Sequence, residues 1–423
     1  MNNKIIYQPL AVESKQIAEL IKNERFRNRE AFLDRAVRIL LKWELDPKNS
    51  MEIMKEYPQT EEQKQILQVF LAPTIYQANF GSPVNNQNNE NQRLKDKLKS
   101  KDDFIKLKEN LPQTREFIEK LKISDPNNLI QCDDHPILFR FYTRFAPGKI
   151  VLSVLADLLR KNSHTDKIDL ENLRVESLDI ATEVATEIIM FEETNRIKKN
   201  KKVSTGFPKI NDDMEQQVSI HKRFRDQYVG KIRRERNKDR QKGEEYFEGI
   251  LGSLGLINVT RGGDRILISL TQKGKEFYLL DNPILNGNYS QGLSVEESDY
   301  INENLIPPII LEKKFYDSAL KQVEKIQNDS KLEIKTIELI EKALIDVYEN
   351  YISKNPDKIT EFNFKSIGYH IDSQTQEKVI DDVWARYIEG WRVAVMGRLT
   401  ELHKIEWIIQ PETGKSIYKI KGT

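Results

Sequence analysis

The chain has 423 residues, which is long enough for two to four domains with at least one sizeable core. Its composition, 38% hydrophobic and 31% charged, is polar, and no apolar run approaches the ~20 residues of a membrane span. A single cysteine, Cys132, excludes an intramolecular disulfide and a zinc finger built on cysteines. The first ten residues lack the apolar core of a secretion signal, so we expect a cytoplasmic, prokaryotic protein.

The formal net charge of +1 is an average over uneven segments. Residues 222–242 carry ten Lys or Arg against three Asp or Glu, a local balance of +7, whereas residues 177–193 are acidic. Nucleic-acid affinity depends on the charge of one face of a protein. A near-neutral total therefore does not argue against nucleic-acid binding.

Residues 17–43 have the pattern of two short amphipathic helices. Ile17, Leu20 and Ile21 form the first apolar stripe, and residues 32–41 repeat it. A short β-prone run, residues 4–10, precedes them. One strand and two helices in about 45 residues bury little apolar surface, so we expect this segment to pair with a second copy.

This N-terminal block, residues 1–45, resembles the ribbon-helix-helix family, the Arc, MetJ and CopG class of DNA-binding proteins. The resemblance implies a homodimer whose two strands form a ribbon that enters the major groove. Ile6 and Pro9 depart from the polar, donor-bearing pattern of such a ribbon. An ordinary helical hairpin is the alternative. The resemblance implies that the DNA-contacting residues are Lys4, Gln8, Arg27 and Arg29.

The segments that follow differ sharply in composition. Residues 46–80 indicate a helical extension, and residues 81–103, rich in Asn and Gln and then in Lys, indicate a flexible linker. From residue 104 the chain is predicted to be mostly helical, with a buried helix from Lys149 and further helices over residues 170–194. A lysine-rich loop follows them.

A long basic helix is predicted over residues 214–242, bent at Gly230. Its arginines suit forked contacts to phosphate oxygens, so it is the best electrostatic candidate for a DNA contact. The alternative is a solvated helix that the acidic residues 177–193 offset. The candidate contacts are Lys222, Arg223, Arg225, Lys231, Arg233, Arg234, Arg236 and Arg240.

The pattern after this helix is a helix (residues 244–254), a strand (256–260), a tight turn and a strand (265–270). The run L-T-x-x-G-x-x-F then follows, carried by Leu270, Thr271, Gly274 and Phe277. This resembles the distal half of a winged-helix domain, over residues 145–280. The predicted domain boundaries are 104–282, and Arg261 and Arg265 flank the wing as candidate DNA contacts.

A comparable order recurs near the C-terminus, after a loop-rich connector assigned to residues 283–332. Helices are predicted over residues 334–354 and 377–403, and a hairpin over residues 405–420 turns at 411–414. Residues 333–421 therefore also look like a winged helix, in a domain predicted to span 333–423. Lys415 at the hairpin tip is its candidate contact.

The predicted fold is mainly α: an N-terminal ribbon-helix-helix module plus tandem winged-helix domains with short β-hairpin wings. No paired histidines, phosphate-binding loop or convincing metal cluster occurs, so we expect no enzyme activity, no catalytic or metal site and no cofactor. The predicted function is that of a homodimeric transcriptional regulator that binds double-stranded DNA. The alternatives are a plasmid or viral replication initiator or partition protein and, in a different class, a nuclease using Glu333 and Lys335.

Overall fold

The computed structural model describes residues 103–123, 128–132, 142–211, 213–234, 245–356, 366–372, 377–410 and 414–421. The module predicted for residues 1–45, the helical extension and all of the linker except residue 103 lie outside the described residues. The candidate contacts that lie outside them are Lys4, Gln8, Arg27, Arg29, Arg236 and Arg240.

Helices dominate the described ranges, and the mainly α class is confirmed. The helices are α1 (Asp103–Glu109), α2 (Leu111–Lys120), α3 (Ala146–Lys161), α4 (Leu170–Thr194), α5 (Met214–Phe224), α6 (Ile250–Ser253), α7 (Gln272–Leu279), α8 (Val295–Tyr300), α9 (Ile310–Asn328), α10 (Thr336–Lys354) and α11 (Asp382–Glu401). The strands are β1 (Gln131–Cys132), β2 (Ile168–Asp169), β3 (Lys231–Arg234), β4 (Glu245–Glu248), β5 (Ile257–Gly262), β6 (Arg265–Leu270), β7 (Tyr369–Ile371), β8 (Lys378–Ile380), β9 (Ile405–Ile409) and β10 (Ser416–Ile420).

Helix α3 is the centre of the first half of the core, as its apolar sequence predicted. It is buried on nearly every side, and α2, α4 and α7 pack around it. A helix that is apolar around its circumference has to be enclosed by other elements. This explains why α3 needs partners from both before and after it in the chain.

Two small sheets flank α3 and are joined by the segment that contains β1. One has the antiparallel order β2–β6–β5; in the other, β4 pairs with β3 antiparallel and with β1 in parallel. Leu129 bridges to Thr260 in β5, and the Ile130 N–H donates to the Val259 carbonyl at 2.8 Å. The hairpins β3–β4 and β5–β6 are therefore held in a fixed relation through residues 129–132.

The basic segment is not one long helix. Helix α5 ends at Phe224, a single π-helical turn (Arg225–Val229) follows, and Lys231–Arg234 form strand β3. Gly230 has a φ of +111°, outside the helical region, and a Cβ there would lie 2.2 Å from Cζ of Phe247. Glycine therefore breaks the helix and lets the chain turn back against β4.

The helix predicted over residues 244–254 is wrong for its first half. Glu245–Glu248 form β4, and only Ile250–Ser253 are helical. Tyr246 and Phe247 are aromatic residues that favour strands, and Phe247 is fully buried. Their place in the three-stranded sheet overrides the helical pattern.

Part of the segment assigned to the connector is a long helix. Helix α9 packs against α10 and α11, and the hairpin β9–β10 covers this group of helices. The predicted C-terminal hairpin is confirmed, with Ser416 paired to Ile409 and Ile420 to Ile405. Strand β8 precedes α11, so that helix begins at Asp382 rather than at residue 377.

Trp391 is 1% exposed and lies 4.8 Å from the Tyr348 ring, centroid to centroid. It therefore belongs to the core.

A buried ion pair ties α3 to the segment after α7. The Lys149 Nζ lies 2.9 Å from Oε1 of Glu297, and neither side chain is exposed. The ammonium also donates to the carbonyls of Phe277, Tyr278 and Leu280 at the end of α7. All three of its protons thus have acceptors, which a buried lysine requires.

A second buried group joins the end of α11 to the start of α3. Arg398 in α11 lies 2.8 Å from Glu312 in α9 and donates to the Tyr316 hydroxyl at 2.9 Å and to the Tyr142 carbonyl. Glu401 accepts the N–H groups of Phe145 (2.5 Å) and Ala146 (3.0 Å), where α3 begins. A carboxylate suits this position because the unpaired N–H groups of a helix start carry partial positive charge.

The run L-T-x-x-G-x-x-F forms the junction between β6 and α7. Leu270 and Phe277 are buried, and the Thr271 hydroxyl caps α7 by accepting the Gly274 N–H at 3.0 Å. A Cβ on Gly274 would lie 1.9 Å from the Leu256 carbonyl oxygen. The glycine therefore allows α7 to approach the start of β5.

We expect Gly274→Ala to lower the free energy of unfolding by about 1–3 kcal/mol, because the backbones of α7 and β5 must move apart. Urea denaturation measures the change. Gln272→Ala, at an exposed position of the same helix, is the matched control and should stay within about 0.5 kcal/mol of the unmodified protein. Equal stability of the two variants would show that α7 is not held against β5.

Candidate nucleic-acid interface

Helix α5 carries Lys222 and Arg223, two of the predicted DNA contacts, and it projects from the core. Asp213 caps its start by accepting the N–H groups of Glu215 (2.9 Å) and Gln216 (3.2 Å). Of its eleven residues only Phe224, the last, is buried. An isolated helix of this length is marginal in water, so its attachment at Phe224 and its cap have to stabilise it.

The attachment is an aromatic cluster that follows α5. Phe224 stacks on Tyr228 at 5.4 Å between centroids, and Tyr228 lies 5.7 Å from the buried Tyr142. Burial raises the pKa of the Tyr228 hydroxyl well above its ordinary value. The phenol is therefore neutral, and the π-helical turn is held as part of the core.

The candidate cations divide into two groups by their partners. Lys231 forms an ion pair with Asp226 at 2.5 Å, Arg233 with Glu248, and Arg261 with Glu245. These pairs offset much of the local positive charge within the fold itself. The surface of β3 and of the base of the wing is thus partly balanced, by acids other than residues 177–193, which the alternative had named.

The second group keeps its charge uncompensated. Lys222 and Arg223 in the last turn of α5 and Arg265 at the wing are exposed, and Arg225 is half-buried. Across the described ranges no carboxylate forms an ion pair with any of these four side chains. They are the cations that remain available to an anionic partner.

The remaining predicted contacts have no common location with these. Arg234 lies in β3, opposite Glu245 in the strand register. Lys415 is exposed beside the turn of the second hairpin, where its carbonyl accepts the Gln410 N–H at 2.9 Å. The structure therefore links the predicted contacts of β3 and the base of the first wing through β4, and it leaves Lys415 in the hairpin that packs on α9 and α11.

Sequence reasoning noted the lysine-rich loop before α5 but did not assign it to the site. Lys198 and Lys199 in this loop are exposed, and within the described residues neither has an acidic partner. Lys201 and Lys202 differ, because they lie 3.2 Å from Glu406 and 3.9 Å from Glu192. The four lysines within residues 198–202 were the signal that could have added this loop to the candidate contacts.

No group of three or more His, Cys, Asp or Glu in the described part of the chain is arranged to hold a metal ion. Glu333 and Lys335, the pair considered for a nuclease, are both exposed in a 3₁₀ turn (Ser330–Lys335) before α10. None of the described helices is both long and apolar enough to cross a membrane.

Comparison with known proteins adds no relative: no protein-family model, curated protein or solved structure matches this chain. The ribbon-helix-helix and winged-helix resemblances therefore stay predictions drawn from the residues.

Proposed function

We propose that this protein binds double-stranded DNA and acts as a dimeric transcriptional regulator. The observation that carries the DNA contact is the set of exposed, uncompensated cations on α5 and at the wing, with Lys222 and Arg265 as its clearest members. Exposed lysine and arginine side chains that form no ion pair within the protein can bind phosphates and release counterions from DNA. The dimer is proposed from the resemblance of residues 1–45.

The element order supports a winged-helix arrangement for the predicted domain over residues 145–280. Helix α3, the short strand β2 and helix α4 are followed by α5, the β3–β4 hairpin, the short helix α6 and the hairpin β5–β6. Strand β2 pairs with β6, which gives the sheet order β2–β6–β5. In such a domain the hairpin is the wing, and Arg265 at its tip would contact the DNA backbone.

Salt dependence tests the proposal. Fluorescence anisotropy would follow the binding of a labelled mixed-sequence duplex at several salt concentrations between about 50 and 200 mM. For Lys222→Gln/Arg265→Gln we expect the slope of log K against log[salt] to fall in magnitude by about 2, because each lost phosphate contact removes ~0.9.

The matched control is Lys342→Gln/Arg386→Gln, which removes two exposed charges from α10 and α11. Its slope should equal that of the unmodified protein. Absence of duplex binding at low salt, or the same reduction in both double variants, would contradict the proposed contact.

A further inference from the structure

The exposed face of α5 carries acidic, apolar and hydroxyl side chains as well as cations, and phosphate binding alone does not require this mixture. At 3.6 residues per turn, Gln217, Ile220 and Phe224 lie on one side of the helix, and this is the side that is half-buried or buried. The opposite side is exposed along its whole length. Its residues are Glu215, Val218, Ser219, Lys222 and Arg223.

Three of these residues lie on a single line. Glu215, Ser219 and Arg223 are spaced at i, i+4 and i+8, so that their side chains follow one another along the helix surface. Val218, which is 61% exposed, and Lys222 lie beside this line. The line therefore offers an acceptor, a hydroxyl and a forked cation in sequence, with an exposed apolar group next to them.

The dimensions of α5 suit a groove. Eleven residues span about 16 Å, and the major groove of B-DNA, about 12 Å wide, admits a helix. The side of α5 that carries Gln217, Ile220 and Phe224 faces the protein, and Gln217 donates to the Lys209 carbonyl at 3.3 Å, so the opposite side is the one that faces outward.

On the basis of the DNA-binding function proposed above, we infer that α5 lies in the major groove and reads base edges through the line Glu215–Ser219–Arg223, with Arg223 bonded to a guanine. An arginine donates two parallel hydrogen bonds to guanine O6 and N7, serine bonds to any base, and glutamate accepts from the amino group of cytosine. Val218 is placed for contact with a thymine methyl group.

Charge complementarity favours DNA over a protein as the occupant of this face. Lys222 and Arg223 form no ion pair within the described ranges, and they adjoin Arg225 at the same end of the helix. A protein partner would have to supply acidic residues against this end, whereas DNA presents phosphates on both sides of the groove. Lys222, beside the reading line, is positioned for one of those phosphates.

The test is a selection with the full-length protein from a pool of duplex DNA that contains a randomised central segment. We expect the unmodified protein to enrich a motif that contains guanine. Arg223→Gln should bind that enriched site roughly 5- to 150-fold more weakly, the range that corresponds to a lost bidentate contact. A selection repeated with this variant should lose the preference at one guanine position.

Two control variants separate base reading from charge and from folding. Lys222→Gln should weaken binding to the enriched and to a scrambled duplex by the same factor, since a phosphate contact carries no sequence information. Arg386→Gln, an exposed arginine of α11, should leave the motif and the affinity unchanged. Thermal midpoints of all three variants should match that of the unmodified protein.

Three other outcomes would overturn the inference, and each shows which part of it is wrong. If Arg223→Gln enriches the same motif with the same preferences, α5 does not read bases although DNA binding stands. If Arg223→Gln instead lowers the sedimentation coefficient and leaves the motif unchanged, the face contacts a second copy. If the unmodified protein binds no duplex at low salt, the proposed function itself is wrong.

Discussion

Replacing Arg398 with methionine is expected to lower the free energy of unfolding by about 3–5 kcal/mol. The variant keeps the length of the side chain but leaves the Glu312 carboxylate, whose side chain is fully buried, without its cation. It also removes the donors to the Tyr316 hydroxyl and the Tyr142 carbonyl. Urea denaturation followed by tryptophan fluorescence measures the loss.

A second substitution makes this prediction specific. Arg398→Met/Glu312→Leu replaces the whole pair by apolar groups and should recover most of the lost stability, because desolvation of the two charges offsets much of their attraction. Arg386→Met, at an exposed position of the same helix, is the control and should change stability by less than about 0.5 kcal/mol. A double variant no more stable than Arg398→Met would show that shape, not charge, sets the cost.

The pH dependence of stability should contain a component from Glu401. Burial raises the pKa of its carboxyl from 4.5 to about 7, although Arg144 and the N–H groups of Phe145 and Ala146 favour the ionised form. Between these two pH values the folded state retains a proton that the unfolded state has lost. Stability therefore falls as the pH rises through this interval, by about 3 kcal/mol in total for this group.

Glu401→Gln should remove that component, because a glutamine has no proton to lose. The difference in free energy of unfolding between the variant and the unmodified protein should change by about 3 kcal/mol from about pH 4.5 to pH 8, in favour of the variant at high pH. Glu406→Gln, at an exposed position of β9, is the control for the loss of one formal charge. A flat difference for Glu401→Gln would mean that its carboxyl titrates as it does in water.

Local patterns predicted the elements that local physics determines. The apolar run after Lys149 gave the buried helix α3, and the alternating residues at 256–270 and 405–420 gave two hairpins at nearly the correct bounds. Thr271 and Gly274 occur in a recognisable run because a cap and a close backbone approach restrict which residues fit. At these positions the local sequence preference and the packing of the surrounding elements favour the same structure.

The errors occurred where distant residues decide the local structure. Lys231–Arg234 looked helical because charged residues are good helix formers, but β4 pairs with them and Phe247 packs on Gly230. The partners that neutralise Arg233 and Arg261 are acids 15 and 16 residues away in the sequence. Charge counting along the chain therefore overestimated how much positive charge faces solvent.

The candidate site, too, could be predicted from the sequence only in part. The cation cluster was visible in the sequence, but which members stay uncompensated depended on strand register, which spacing alone does not reveal. The outward line of α5 was hidden because the helix was predicted to continue to residue 242. Only the break at Gly230 shows that the inward side of this helix ends at Phe224 and does not continue as a longer apolar stripe.

The pairing of Lys149 with Glu297 has a practical consequence for dividing this chain. A fragment that ends at residue 282, where composition suggests a domain end, would lack Glu297. The buried ammonium of Lys149 would then have no carboxylate partner, and the Asn282 amide would lose the carboxylate to which it donates. Residues 283–305 thus belong to the same folding unit as α3 and α7. A fragment meant to contain α3, the hairpin β5–β6 and α7 should therefore extend past Leu305.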